Sequence, residues 1–182
     1  MSTWVDESDI LEQLNQCNSI RGFLLQTHQL LERAVAHLIQ RVLRKDDYAV
    51  KYAVGPLLSS EGPLGEMSVR LKLIYGLGII SQAVYQDIER LISLRNFLNN
   101  EAQEYQFTDG VIIKHIQQLH ALSDISRSQL EMITHGHIQL DPTSLAISQE
   151  RQGRVVRSIM TLAIAELCDL LNQDNSLLQP DN

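Results

Sequence analysis

Apolar residues recur along most of the chain at the three- and four-residue spacing that an amphipathic α-helix requires. The most regular run follows Ser19, which can cap a helix, and extends to about residue 44. A second long run follows Ser148 and ends near residue 171. The pattern therefore predicts two long helices, at about 19–44 and 149–171, each with an apolar face that other helices must cover.

Shorter helices are predicted in the first half of the chain. One lies near residues 10–14, and another, preceded by two aspartates that can cap it, covers residues 48–54. The segment 55–65 contains a Gly-Pro pair and a stretch rich in Gly, Pro and Ser, so it interrupts the helical pattern. Helical spacing of apolar residues resumes over residues 69–80. We therefore expect a loop between two helices here.

The second half of the chain shows two more helix starts and one long irregular segment. Ser81 can cap a helix that ends near Asn99 and Asn100, and Asp109 can begin a further short helix. Residues 134–142 are the least regular part of the chain and are predicted to form a long loop.

The fold class follows from these elements. No stretch alternates apolar and polar residues with the β-branched enrichment of a half-buried strand. A length of 182 residues suits one domain with a sizeable core. We predict an all-α fold, a single-domain multi-helix bundle without a β-sheet, over residues 1–182, with flexible ends at 1–5 and 173–182.

Composition and charge exclude several classes of protein. Apolar residues make up 44% and charged residues 20%, which is ordinary for a globular chain and argues against disorder. The N-terminus is acidic and no apolar run approaches the roughly 18 residues of a spanning helix, so we expect a cytoplasmic protein. The net charge of −7 has the wrong sign for a protein whose whole surface binds phosphates. Cys17 and Cys168 lack a pairing motif and are expected to be buried thiols.

Residues that carry chemistry are scattered rather than clustered. His135 and His137 flank a glycine, but no third ligand stands at metal-binding spacing, so no metal is expected. There is no nucleophile elbow, and paired carboxylates fall at helix ends, where capping explains them. We expect no cofactor and no catalytic residues.

Two charges fall within apolar helix faces. A projection of 100° per residue places Arg95 among the apolar positions of its helix, and Glu166 among those of the last helix. An unpaired buried charge costs several kcal/mol, whereas a hydrogen-bonded pair can offset that penalty. One hypothesis is therefore a structural buried pair of Arg95 and Glu166. The alternative is that one or both side chains lie at the edge of the arc and reach water.

Nucleic-acid binding has two candidate surfaces, of which the better one lies on the last helix. Arg151, Arg154 and Arg157 are spaced so that they lie on neighbouring parts of the last helix. A second basic cluster, residues 41–45, lies at the end of the first long helix. The ordinary explanation of either cluster is a solvated helix face or a favourable contact with the helix dipole. No helix pair ends in a recognisable recognition helix.

Part of the chain closely resembles the bacterial mannitol operon repressor family. The resemblance is carried by residues 44–54 (RKDDYAVKYAV), 56–58 (PLL), 62–65 (GPLG) and 68–78 (SVRLKLIYGLG), and by the last helix from about 152 to 171. It implies an all-helical cytoplasmic protein that represses genes for mannitol uptake and use. The family lacks a recognised DNA-binding module, and this agrees with the negative net charge. Repression through a protein partner, either another regulator or a component of the sugar phosphotransferase system, is thus the simpler expectation.

Two alternatives stay open. Residues 94–101 (LRNFLNNE) look like the Arg-x(4 to 6)-His segment of HEPN-type ribonucleases, but Asn100 stands where histidine would follow Arg95. An amide cannot replace imidazole as a general acid or base, so the alternative function is a HEPN-like RNA-binding or RNA-cleaving protein with a degenerate active site. The other alternative is an interaction protein whose loop 59–65 or 134–142 docks a partner. A homo-oligomer is also expected, because helical bundles with broad apolar faces often associate.

Overall fold

The computed structural model describes residues 7–43, 48–135 and 142–173, which form α-helices joined by turns and loops. The helices are α1 (Glu7–Asn15), α2 (Ile20–Val42), α3 (Tyr48–Leu58), α4 (Met67–Gly76), α5 (Gln82–Asn100), α6 (Gly110–Ile116), α7 (Asp124–His135) and α8 (Pro142–Asn172). No β-strand occurs in these ranges, so the predicted all-α fold is confirmed. No described helix is long and apolar enough to cross a membrane. The predicted flexible ends, except Gln173, lie outside the described residues.

The long helix α2 lies at the centre of the structure. It packs against α1, α4, α5 and α8, and α8 also covers α1. Its buried side chains include Phe23, Leu31 and Leu38, which recur at helical spacing. Buried residues of α1, α2 and α4–α8 form one apolar cluster. Burial of each Leu or Ile contributes roughly 1.5–3 kcal/mol, so this cluster holds the helices together.

Helix starts and stops follow local signals that are visible in the sequence. The Ser19 hydroxyl accepts a hydrogen bond from Gly22 N, and the Ser81 hydroxyl accepts one from Val84 N, as predicted for N-caps. At the end of α4, Gly78 adopts a left-handed φ of 71°. That conformation reverses the chain without a Cβ clash and satisfies the last carbonyls of α4.

Three boundaries differ from the prediction. Helix α3 continues through Gly55 and Pro56, because a proline this close to the C-terminal end removes only one hydrogen bond. Helix α8 begins at Pro142, and Ser148 lies inside it; proline suits the first turn, where its missing N–H has no partner. Helix α7, over Asp124–His135, was not predicted.

Arginines of one helix donate to carbonyl oxygens at or just beyond the C-terminal end of another element. A helix leaves its last carbonyls unpaired and carries partial negative charge there, so a guanidinium is a suitable partner. Each guanidinium donates to backbone carbonyl oxygens: that of Arg21 to Leu98, Glu101 and Gln103; that of Arg41 to Leu171 and Asn172; that of Arg70 to Leu58 and Leu64; that of Arg127 to Gln117 and Leu119; and that of Arg157 to Cys17. These contacts fix helix ends and leave fewer guanidinium groups free for phosphates.

Candidate partner and ligand surfaces

The three arginines predicted for nucleic-acid binding have different environments. Arg151 and Arg154 are exposed, and Arg154 forms an ion pair with Glu150 one turn earlier. Arg157 is half-buried and donates a 3.1 Å hydrogen bond to the Cys17 carbonyl oxygen. The structure therefore brings Arg154 and Arg157 to one cleft, whereas Arg151 is not part of its lining.

The hypothetical buried pair of Arg95 and Glu166 is not brought together. Glu166 is exposed, and no ion pair within the described ranges joins it to Arg95, which is half-buried. The projection misplaced the centre of the apolar face of α8. Val155 and Leu162 are exposed on this helix while Val156 is buried, so apolar residues occupy more than one face.

Helix α3 forms an exposed apolar surface. Tyr48 and Tyr52, one turn apart, have 83% and 80% of their surface exposed. None of the α3 side chains that the structure describes is buried, although Lys51 is the only charged residue of the helix. Leu58, at its C-terminal end, packs against the core. An exposed apolar surface of this kind is typical of protein interaction sites.

The loop after α3 is closely packed and hydrogen-bonded. Gly62 and Gly65 lie against backbone carbonyls, and a Cβ on Gly65 would stand 2.6 Å from the oxygens of both Ser59 and Ser60. Arg70 on α4 donates to the Leu58 and Leu64 carbonyls on either side. The loop therefore holds the end of α3 in place. Of the two loops predicted to dock a partner, this one is fully described, whereas 136–141 of the other lie outside the described residues.

A polar cleft lies between the first half of α8, the junction of α1 and α2, and the segment that joins α5 to α6. It has a volume of about 670 Å³, within the range of small-molecule sites, roughly 300–1,000 Å³. The residues that line it are Asn18, Gln106, Phe107, Thr108, Gln149, Glu150, Gly153, Arg154 and Arg157. Sequence reasoning missed this cleft because its walls come from three separate parts of the chain.

Asp87 is a buried carboxylate with a full set of partners. It accepts hydrogen bonds from the backbone N–H groups of His120 and Ala121, at 2.9 and 2.8 Å. His120 Nδ1 lies 2.8 Å and Arg90 Nη1 3.2 Å from its Oδ1. These contacts attach α5 to the chain before α7 and account for the buried charge. The signal in the sequence that could have indicated this buried carboxylate is an aspartate within the apolar face of α5.

The two cysteines are free thiols. Cys168 is buried as predicted, and Cys17 is half-buried. Burial raises the pKa of Cys168 to about 12, an effect that Asp169 strengthens and Arg33 opposes. Burial also raises the pKa of Cys17, against the opposing charge of Arg157. Since the thiolate is the reactive form, neither cysteine has the environment of a catalytic nucleophile.

Comparison with known proteins identifies a family. The family model described as Mannitol repressor matches residues 6–172. The chain is 44% identical to the mannitol operon repressor of Escherichia coli strain K12 over 162 residues, 88% of this chain and 80% of that protein. It is 30% identical over 118 residues to Fumarase E of the same organism, covering 64% of this chain and 70% of that one.

A solved structure agrees with the family relationship. The X-ray structure of the MtlR-HPr complex from Escherichia coli contains a chain that superimposes with a TM-score of 0.80 at 43% identity. The match covers 92% of this chain and 98% of that one. The resemblance seen over residues 44–78 thus extends over nearly the whole fold, and the chain belongs to the mannitol repressor family.

Proposed function

We propose that this protein represses transcription of genes for mannitol uptake and use, without catalysis and in the cytoplasm. The observation that carries the proposal is the close similarity to the Escherichia coli mannitol operon repressor along most of both chains. The lack of an activated thiol and the full hydrogen bonding of Asp87 are consistent with a non-enzymatic role.

Repression can be tested in cells. A strain that lacks its own mannitol repressor and carries a mannitol-promoter reporter is complemented with this chain. We expect reporter expression to fall when the chain is present, and an unrelated sugar promoter in the same strain to stay unchanged. Equal expression with and without a well-expressed chain would refute the proposed function.

We infer that the protein acts through a protein partner of the HPr type, a phosphotransferase component. The similar Escherichia coli structure is a complex with HPr, which supports this choice. For the contact surface we propose α3, because Tyr48 and Tyr52 present a large apolar area next to a loop to which Arg70 is hydrogen-bonded. Rigid aromatic side chains are frequent anchors at protein interfaces.

The partner surface can be tested with purified Escherichia coli HPr. Isothermal titration of HPr into this protein is expected to show binding, and Tyr52→Ala is expected to weaken it at least about tenfold, as for an interface anchor. Met132→Ala on α7 is the matched control, since Met132 is also largely exposed. Equal affinity of the two variants would place the interface elsewhere.

Direct contact with DNA through Arg151, Arg154 and Arg157 stays a prediction. The structure offers a reason for it to be weak, because Arg157 is half-buried and bonded to the Cys17 carbonyl, so that only Arg151 and Arg154 of the three are exposed. The ribonuclease-like alternative receives no support from the geometry. Arg95 is half-buried in α5 and Asn100 is exposed at the end of the helix, so they offer no acid–base pair.

The similarity to Fumarase E motivates one rival function, an enzyme that hydrates fumarate. It is tested by following fumarate absorbance with the purified protein, beside a known fumarase as a positive control. We expect no turnover above background. Turnover that scales with protein concentration and survives further purification would replace the non-enzymatic proposal.

A further inference from the structure

The glycine of α8 at position 153 has no structural explanation. It lies inside the helix, where glycine lowers helix stability relative to alanine. A Cβ built on Gly153 meets no atom within 4 Å, and its φ is not left-handed, so neither packing nor backbone conformation requires glycine. Gly153 does line the polar cleft. Its effect is to leave the backbone of α8 open to whatever enters the cleft.

The cleft contains two guanidinium groups that can receive an anion. The hydrogen bond from Arg157 to the Cys17 carbonyl holds one guanidinium in place at the wall of the cleft. Arg154 is paired with Glu150, but both side chains are mostly exposed, and such a surface pair is weak enough for a bound anion to replace it. Guanidinium groups match the oxygens of phosphate in geometry and charge.

The remaining polar groups of the cleft suit a ligand with hydroxyl groups. Asn18, Gln106 and Gln149 each supply an amide that can both donate and accept hydrogen bonds, and Thr108 adds a hydroxyl. A purely inorganic anion would leave most of these groups unused. The buried ring of Phe107, packed edge-on against Phe23 at 5.6 Å, adds a small apolar surface of the kind that a carbon chain contacts.

We propose that the cleft binds a small phosphate monoester that carries several hydroxyl groups. In this arrangement Arg154 and Arg157 bind the phosphate, the amides bind the hydroxyls, and the ligand lies against the bare backbone at Gly153. The geometry selects this chemical class; the choice of a hexitol phosphate within it rests on the proposed function. A regulator of mannitol genes would thereby sense a phosphorylated form of the sugar alcohol.

Isothermal titration with three probes tests the chemistry. Mannitol 1-phosphate is expected to bind the purified full chain. Mannitol, which lacks the phosphate, and inorganic phosphate, which lacks the hydroxyl groups, should each bind at least about tenfold more weakly, because each loses one of the two sets of hydrogen bonds. If inorganic phosphate bound as tightly as mannitol 1-phosphate, recognition of hydroxyls would be refuted. If mannitol bound as tightly, the role of the arginines would be refuted, and absence of binding by all three would overturn the proposal.

Two variants and a control locate the binding site. Gly153→Leu fills the cleft and improves helix propensity, so binding should be lost while the melting temperature stays the same or rises. Arg154→Ala should weaken binding at least about tenfold. Arg151→Ala is the matched control, an exposed arginine of the same helix outside the cleft, and should bind like the original chain. Unchanged binding by Gly153→Leu would place the site elsewhere and overturn the proposal.

The binding assay is independent of repression. If the original chain represses the reporter but binds none of the three probes, the ligand proposal fails and the proposed function stands. If it binds mannitol 1-phosphate through Gly153 and Arg154 but does not repress, the proposed function fails instead.

Discussion

Single arginine side chains connect helices that lie far apart in sequence. Arg127 is a compact example, because its guanidinium donates to the carbonyl oxygens of Gln117 at 2.8 Å and Leu119 at 2.6 Å. These carbonyls follow the end of α6, where the helix has no internal donors left. Hydrogen bonds to a charged group contribute roughly 1.5–3 kcal/mol, more than those between neutral groups.

Arg127→Ala is therefore expected to lower the free energy of unfolding by about 2–3 kcal/mol, because both carbonyls lose a charged donor in a partly buried place. Urea denaturation followed by circular dichroism measures the change. Arg151→Ala, which removes an exposed arginine, should change the stability by less than about 0.5 kcal/mol. Equal effects of the two substitutions would show that the carbonyl contacts of Arg127 do not stabilise the fold.

His28 on α2 gives the stability a pH dependence. Burial lowers the pKa of His28 below its usual 6.5, the positive charge of Arg95 lowers it further, and Glu32 opposes the shift. The unfolded chain then binds the proton more readily than the folded one between these two pKa values. The contribution of His28 to stability is thus fully present above about pH 6.5 and is lost as the pH falls through its folded pKa.

Unfolding free energies measured from pH 7.5 to pH 5 should consequently decrease toward acid in the original chain, and His28→Gln should flatten part of that decrease. Arg95→Gln should flatten it less, since the charge of Arg95 is the smaller cause. A pH profile that is identical in His28→Gln and in the original chain would contradict this account.

Sequence reasoning at the residue scale worked for local contacts and failed for distant ones. Ser19 and Ser81 were predicted as caps because an N-cap bonds to a backbone group only three residues away. The contact of Arg157 with Cys17 spans 140 positions, so no spacing rule indicates it. Glu166 was misplaced because a projection locates an apolar face only within the error of its assumed centre.

At the scale of elements, the connection between α3 and α4 depends on its glycines. Gly65 cannot accept a Cβ, which would lie 2.6 Å from two backbone oxygens, whereas Gly55, inside α3, has no atom within 4 Å of its Cβ position. Gly65 belongs to the resemblance segment 62–65 and Gly55 lies between two such segments, and the two positions have opposite requirements.

Gly65→Ala is expected to destabilise the protein by roughly 1–3 kcal/mol, because backbone must move to relieve the clash. Gly55→Ala should instead stabilise it by about 0.5–1 kcal/mol through lower entropy of the unfolded chain. Thermal unfolding measures both, and limited proteolysis reports whether the loop itself opens in Gly65→Ala. Opposite signs are the expected result; destabilisation by both would mean that α3 tolerates no change at Gly55 either.

Elements were predictable where burial and periodicity agree. Helix α2 buries the apolar face that its spacing indicates, so its bounds were close to the prediction. Helix α7 was missed because Ile125 and Met132 are exposed while few apolar residues mark its buried side. The exposure of helix α3 is a tertiary feature that no local pattern shows.

At the scale of the whole molecule, both the net charge and the contacts of the arginines disfavour DNA binding. The net charge of −7 opposes approach to DNA. Guanidinium groups such as those of Arg21, Arg70 and Arg127 are engaged with carbonyl oxygens. Of the three arginines predicted for nucleic-acid binding, Arg151 and Arg154 are exposed. Within the described ranges, these contacts reduce the positive charge that is available to neutralise a phosphate backbone.

Binding of the purified protein to a labelled mannitol-promoter fragment is accordingly expected to be weak and equal to binding of an unrelated fragment of the same length. Each neutralised phosphate contributes about −0.9 to the slope of log K against log salt, so engagement of Arg151 and Arg154 alone gives a slope no steeper than about −2. Arg151→Ala combined with Arg154→Ala should remove that slope. Specific binding with a slope of about −5 or steeper would instead require a larger basic surface than Arg151 and Arg154 provide. Repression would then act directly on DNA.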